Sequence, residues 1–392
     1  MSQIRLRQIG SIQELRDYVE ANRTQNLVSW DIETTNLDPK EQDVVGHCLA
    51  FSSDEGVYCP VRHKVKPEQN LDPDIVWKII QEVIAPPRIL LVYNYKFEGR
   101  FLRQCGVNRR ASYSILRDAL VYAWLWNSNE KVEKVGLKSA IQWFHPELQM
   151  LDIREVPGAA RDKKMRGEID FSYTDPEQAT LYAAADPVMT IKVYRATEEK
   201  VEAEQALICQ VEHNLIESLL SMEESGVLMD RTILREADKT LERLICQVEK
   251  EVYEAAGGPF NLLSSKQLAK YFTENGIAFS KTEKGNPNLG EAELEILAEV
   301  SPIAAKIVLY RKLCKERSTY VGRLLESTTD DDPYAHFKFS SVGAPTGRLS
   351  SGGGSKGEFY TAMNVQSIPS ASKYRLAKCR KIKVPPAELN HE

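Results

Sequence analysis

Asp31-Ile32-Glu33 carries two carboxylates one residue apart, at the end of the apolar, β-prone run Leu27-Val28-Ser29-Trp30-Asp31-Ile32. In a strand, residues two apart share a face, so both acids point the same way and could hold one divalent cation. The same spacing also occurs on ordinary solvated strand edges. Asn94-Tyr95-Lys96-Phe97-Glu98 adds an amide and another carboxylate where a helix begins, or is simply a polar helix opening. Tyr182-Ala183-Ala184-Ala185-Asp186 sets a phenol and a carboxylate four residues apart, on one face of a helix. Its three alanines are read as leaving room for something bulky to approach; the alternative is a packed helix with one exposed acid. Taken together, the three segments fit one chemistry. Phosphodiester hydrolysis needs a water ionised near neutral pH and a stabilised leaving oxygen, and two cations about 4 Å apart supply both. Hard cations such as Mg²⁺ want several carboxylate oxygens. Four such acids would repel one another until metal binds.

The elements that must position these groups alternate in type. Residues 27–32 and 89–93, the second after Pro86-Pro87, read as strands, and 44–51 with 56–61 as a hairpin or meander. Helical spacing covers 112–126 and 176–196, which gives an α/β pattern around a mixed sheet. The character changes near residue 200. Leu207, Val211, Leu215, Leu219 and Met222 recur at helical spacing up to a stop at Gly226. Asp230 caps a second long helix that ends at Gly257-Gly258-Pro259, and the two are expected to form an antiparallel pair. Ser264 and Gln267 have capping-box spacing, and Ser301-Pro302 opens a further helix to about residue 325. Residues 336–341 alternate as a strand, and Gly352-Gly353-Gly354 marks a loop.

Composition bounds the rest. The 392 residues suffice for two or three domains. No apolar run is long enough for a membrane helix, and residues 1–10 lack a signal-peptide core, so a cytoplasmic protein with no membrane partner is the default expectation. Seven scattered cysteines without a Cys-x-x-Cys pair read as free thiols, and six histidines form no metal-spaced set. The net charge of −5 does not advertise nucleic-acid binding, but local basic surface matters more than the total. Lys373, Arg375, Lys378, Arg380, Lys381 and Lys383 form one basic stretch; Lys306, Arg311, Lys312, Lys315 and Arg317 form another. Either could equally be a solvated face.

Asp31-x-Glu33, Asn94-x-x-Phe97-Glu98 and Tyr182-x-x-x-Asp186 resemble, in order and spacing, the three exonuclease motifs of the DEDD superfamily, tyrosine subtype, as found in the proofreading domain of family A DNA polymerases. The resemblance implies a ribonuclease H-like mixed sheet flanked by helices. It implies that Asp31, Glu33, Glu98 and Asp186 hold two divalent ions, Mg²⁺ or Mn²⁺, and that Tyr182 orients the attacking water. Leu37 matches the family leucine that wedges against the terminal bases, Asn94 would support the site or the strand, and Asp118 has an acidic counterpart in a supporting role. One departure stands out: the second motif normally ends in Asp. Glu98 adds a methylene and extends the carboxylate by about 1.5 Å, which puts the position of the second metal in doubt.

The likeness continues through the second half. Phe260-Asn261-Leu262-Leu263-Ser264-Ser265-Lys266-Gln267-Leu268, the helix from Tyr310-Arg311-Lys312-Leu313 to Tyr320, and Thr346-Gly347-Arg348-Leu349 with Asn364-Val365-Gln366 resemble the family's thumb and palm entry. Lys266, Arg311, Arg348, Asn364 and Gln366 are then expected to touch primer–template DNA. The expected division is an exonuclease over 1–198, a mainly α-helical thumb over 199–330, and an incomplete α+β palm segment over 331–392. The sequence ends before any strand bearing the polymerase aspartates. The expectation is therefore a split polymerase of phage type, whose 3′→5′ exonuclease subunit this is and whose second polypeptide carries palm and fingers; a cloned piece of one longer chain would read the same. Two rivals are a free-standing DEDD exonuclease on DNA or RNA, and a non-catalytic clamp in which Glu98 has spoiled the site.

Overall fold

The computed structural model describes residues 4–36, 43–107, 113–127, 135–158, 170–344, 346–352, 360–361 and 363–368; Leu37 and the basic stretch from Lys373 to Lys383 lie outside them. The chain divides into two compact units, Met1–Glu224 with Phe339–Ser350, and Ser225–Lys338 with Ser351–Glu392.

The first unit is built on strands β1 (Arg5–Gln8), β2 (Leu27–Thr34), β3 (Val44–Ala50), β4 (Glu55–Pro60), β5 (Ile89–Val92) and β6 (Leu116–Asp118). They lie in the order β1-β4-β3-β2-β5-β6. β3 runs antiparallel to both β2 and β4, and the remaining pairs are parallel. Helices α1 (Ile12–Ala21), α2 (Pro73–Ile84), α3 (Lys96–Gln104), α4 (Ala119–Trp126), α5 (Leu137–Phe144), α6 (Pro176–Ala183) and α7 (Ala185–Ser225) complete it. The period-2 rule sorts β2 cleanly. Val28, Trp30 and Ile32 bury with Leu15 of α1 and Val76, Ile80 and Ile84 of α2, each such side chain contributing about 1.5–3 kcal/mol. Asp31 and Glu33 therefore fall on the other face, where Ala179, Ala183 and Ala184 pack with Val45, Cys48 and Tyr58.

Several sequence expectations change here. Residues 112–126 do not form one helix, because Leu116–Asp118 pairs with β5 as a strand and only Ala119–Trp126 is helical. Three residues are too few for a period to show. The 176–196 helix is interrupted at Ala184. Ala183 and Ala184 are fully buried, so they do not leave space for a ligand. They let the helix junction press on the sheet: a Cβ on Gly56 would sit 2.1 Å from the Ala184 carbonyl oxygen.

The helix after residue 200 kinks at Gln205 (φ −139°, ψ 21°) and then stays with the first unit. Ile216 and Leu220 join the core of α1 and α2. The buried Glu223 carboxylate takes the Lys96 ammonium, the Arg100 guanidinium and, at 2.7 Å, the Phe339 backbone N–H. That anchor holds Phe339–Ser350 in this unit, and Trp124 lies 3.6 Å from where a Cβ on Gly347 would be. By packing, the first unit thus runs to Glu224.

The second unit holds α8 (Arg231–Ala256), α9 (Ser265–Glu274), α10 (Glu291–Val300), α11 (Pro302–Lys315) and α12 (Gly322–Glu326), the last two joined by a π-helical turn over Glu316–Val321. The Asp230 carboxylate caps α8 through the Thr232 and Ile233 N–H groups, and Gly257 ends it at φ 77°. Leu241, Leu244, Val248 and Val252 of α8 share a core with Phe272, Leu294, Leu297, Ile303, Ile307 and Leu313. Strand β7 (Val227–Leu228) pairs with β8 (Tyr334–Ala335). The strand expected over 336–341 reduces to Phe339–Ser340, because His336 and Phe337 turn inward as buried side chains. Among the described residues no helix is long and apolar enough to cross a membrane, and the six described cysteines are free thiols.

Candidate active site

β2 delivers Asp31 and Glu33 just before a register irregularity between Glu33 and Thr34, where a bulge re-aims side chains. Asp186 arrives from the first turn of α7. Carboxylate oxygens of Asp31, Glu33 and Asp186 all lie within 4.8 Å of one another. Glu98, in the first turn of α3 and 1% exposed, joins by a hydrogen bond with the Asp31 side chain rather than as a fourth member of that set. Burial pushes Asp31 up to about 7, and the Glu98 hydrogen bond opposes the rise. Glu33 is raised well above its ordinary value by burial, then by the charges of Asp31 and Asp186. Glu98 and Asp186 are raised by burial and then by Asp31. Glu98 Oε2 and Asp186 Oδ1 are buried with no hydrogen-bond partner. Orphaned carboxyl oxygens beside a carboxylate trio are the donor set of a hard divalent cation.

Backbone contacts set these acids in place. The Asp118 carboxylate caps α4 through Leu120 N–H and accepts Asn94 and Tyr95 N–H, each at 2.8 Å. It thereby fixes the start of α3, and Asn94 takes a left-handed φ of 74°, a sparsely populated conformation. Asp118 N–H in turn donates to His213 Nε2 at 2.8 Å, while His213 Nδ1 donates to the Cys209 carbonyl. A carbonyl can only accept, so the tautomer is fixed. Burial lowers His213 to about 4, which keeps the ring neutral.

The neighbouring strands add support. Asp31, Cys48 and Tyr58 stand in one row across β2, β3 and β4. Gly46 opposite Glu33 makes room for the Tyr58 ring, whose hydroxyl oxygen would lie 2.1 Å from a Cβ there. The Tyr58 hydroxyl donates to His63 Nε2, and His63 Nδ1 donates to the Thr174 carbonyl, both at 2.8 Å, just upstream of α6.

Tyr182, near the end of α6, packs on Phe171 with ring centres 5.8 Å apart. Burial, then Glu33 and Asp186, raises its phenol, which stays protonated and able to donate. Lys138 of α5 puts its ammonium 5.0 Å from the Tyr182 ring centre and lowers both Glu33 and Asp186. Sequence reading missed Lys138, Gly46, Tyr58 and Gly56: one lysine on an amphipathic helix and two strand glycines carry no local signal.

The remaining expected contacts are dispersed. Asn94 is exposed, with its backbone N–H held by Asp118, and Leu37 lies outside the described residues. Lys266 is exposed in the first turn of α9. Arg311 gives its guanidinium to the Leu262, Leu289 and Leu263 carbonyls, a loop-holding arrangement. Its neighbours Lys306, Lys312, Lys315 and Arg317 pair with Glu251, Glu295, Glu291 and Asp238, so this basic cluster is largely neutralised. Arg348 is exposed in the first unit. Asn364 caps a short turn, accepting from Gln366 N–H and the Ser351 hydroxyl, and Gln366 is exposed.

A family model described as 3′-5′ exonuclease matches residues 6–202, and one described as DNA polymerase family A matches residues 231–391. The chain belongs to the family A DNA polymerases, spanning their 3′-5′ exonuclease region. It is 31% identical over 366 residues to DNA polymerase I of Chloroflexus aurantiacus, covering 91% of this chain and 36% of that protein. DNA polymerase I of Pseudomonas aeruginosa is 29% identical over 366 residues, covering 91% and 38%. The chain thus spans between a third and two fifths of the length of these curated relatives. Among solved structures it resembles the POL domain of Pol1 from M. smegmatis in complex with DNA primer-template and dNTP. The TM-score is 0.68 at 17% identity, over 93% of this chain and 56% of that one. That likeness supports the fold: a mixed sheet flanked by helices, then a helical segment. Membership in the exonuclease family implies use of a divalent metal, and the carboxylate trio fits it.

Proposed function

We propose that this exonuclease region removes 3′-terminal nucleotides from DNA by two-metal hydrolysis. The observation that carries the reading is the convergence of Asp31, Glu33 and Asp186, with the partnerless oxygens of Asp186 and Glu98 beside them. In it, Asp31, Glu33, Glu98 and Asp186 hold Mg²⁺ or Mn²⁺. The bound cations supply the charge that acidifies water and stabilises the leaving oxygen. Tyr182, kept protonated by its surroundings, donates a hydrogen bond to the attacking water and leaves it one orientation. Crowded carboxylates that repel one another set the affinity for divalent charge. Asn94 and Leu37 hold the terminal nucleotides of a single-stranded 3′ end.

The second unit grips primer–template duplex without reading sequence, through exposed polar groups such as Lys266, Asn364 and Gln366, and the exposed Arg348 also contacts the DNA. Arg311 serves that grip by fixing the loops around it. The functional division follows 1–198, 199–330 and 331–392, and the protein works in the cytoplasm, the host's if the chain is phage-encoded.

The test of the nuclease is degradation of a 3′-labelled oligonucleotide with Mg²⁺ or Mn²⁺. Activity in the parent protein that disappears in Asp31→Ala supports the assignment. No activity with either metal leaves the non-catalytic clamp, a reading favoured by the Glu98–Asp31 hydrogen bond.

A further inference from the structure

Lys138 belongs to a part of the fold that is firmly held. Ala140 and Ile141 of α5 are buried with Ala123, Met189 and Val193. The Tyr93 hydroxyl, at the end of β5, donates to the carbonyl of Val135, just before the helix. The lysine backbone is therefore fixed against the elements that carry the acids, and its flexible stem is half-buried. The ammonium stands 5.0 Å from the Tyr182 ring centre, within the range of a cation–π contact. Phe171 contacts the same ring at 5.8 Å. A phenol that orients a water must keep one rotamer, and these two neighbours restrict it.

We propose that Lys138 is a positioning residue for hydrolysis, holding the Tyr182 ring so that its hydroxyl stays aimed at the water beside the carboxylates. This rests on the nuclease reading above. A cation that served only to offset the acids would reveal itself in metal affinity, because it repels the incoming metal. A cation that holds Tyr182 reveals itself in turnover, and only while the Tyr182 hydroxyl is present. The two roles are separable.

The experiment measures kcat and KM on a 3′-labelled single-stranded oligonucleotide with Mn²⁺. The proteins are the parent, Lys138→Ala, Lys138→Arg, Tyr182→Phe and the Lys138→Ala/Tyr182→Phe double variant. Mn²⁺ binding is measured by calorimetry without DNA. Lys138→Ala is expected to lower kcat about tenfold with KM changed by less than about twofold, the effect of one lost cation–π contact. Arginine also stacks on aromatic faces, so Lys138→Arg recovers kcat to within about threefold. In the Tyr182→Phe background, Lys138→Ala has less than about a twofold further effect, because the two act as a unit. Mn²⁺ affinity is unchanged or tighter in Lys138→Ala. If that variant melts earlier than the parent, Lys138→Met, which keeps the aliphatic stem, replaces it. Additive losses in the double variant, an unchanged kcat, a rise in KM alone or weaker Mn²⁺ binding each overturn the positioning role while the parent stays active. A parent without metal-dependent activity overturns the nuclease reading itself and this role with it.

Discussion

Asp31 makes the metal-free fold sensitive to pH in a direction that can be worked out. Its folded-state value is about 7 against an ordinary 3.8, because burial disfavours the carboxylate. An acid raised in this way stabilises the fold below its unfolded value and loses that contribution as pH rises through the folded value. From pH 5 to pH 8 about two units of differential protonation disappear, or about 3 kcal/mol at about 1.4 kcal/mol per unit. His47 and His213, lowered to about 3 and about 4 by burial, act oppositely: the unfolded chain takes up their protons below about 6.5, which destabilises the fold at pH 5. A single melting curve therefore mixes the two trends. The comparison with Asp31→Asn removes the histidine part, since both proteins share it. In EDTA, the melting temperature of the parent minus that of Asp31→Asn is expected to fall by about 6–12 °C between pH 5 and pH 8. A gap constant to within about 2 °C across that range would refute the half-buried, proton-holding Asp31 on which the site rests.

Asp118→Asn leaves one amide oxygen to serve the Asn94, Tyr95 and Leu120 N–H groups and turns an NH₂ toward a donor. It is expected to lower stability by about 2–3 kcal/mol in denaturant titration and to reduce kcat, as Asn94 leaves its left-handed conformation. Gly46→Ala drives a methyl into the buried Tyr58 ring, with the hydroxyl oxygen 2.1 Å away, and should destabilise by about 1–3 kcal/mol or more. Melting at parental temperature would show that β3 can yield there. Glu98→Gln keeps the side-chain volume but removes the charge beside Asp31; a 10–100-fold drop in Mn²⁺-dependent rate, of about the size seen when partners of metal ligands are changed, is expected in the oligonucleotide assay. An unchanged rate would give Glu98 a packing role only.

What the sequence displayed, and what it hid, follows from how local each signal is. The Asp31–Glu33 pair was legible because strand periodicity is two and the preceding run is apolar. The Asp230 and Ser301 caps and the Gly226 and Gly257 stops were legible because capping is decided within four residues. β6 was hidden because its strand character lies in pairing with β5, not in its three residues. The alanines of 183–185 were misread because their partner, Gly56, is more than a hundred residues away. The packing of Phe339–Ser350 with the first unit was hidden because Glu223 looks like any acid on a solvated helix face, yet it is fully buried and binds the Phe339 N–H. Lys138 was invisible for the same reason.

Glu223 and the acidic trio illustrate how burial alone fails to mark a site. Glu223 is fully buried and so is Glu98, to within a percent. Glu223 is matched by Lys96, Arg100 and a backbone N–H, so its charge is met inside the fold and no ion is wanted there. The supports of the trio are of another kind. Asp118 and the neutral rings of His213 and His63 fix backbone and strands, and they bring no cation to the carboxylates. Among the described residues, Lys138 is the cation whose charge acts on Glu33 and Asp186, and it faces the Tyr182 ring. An arginine delivered to the trio would pair with the acids, whatever its desolvation costs the fold, and would remove the excess negative charge that draws divalent metal. Introducing one at Cys48, which shares the face of Asp31, is therefore expected to abolish Mn²⁺ binding even if the protein still folds.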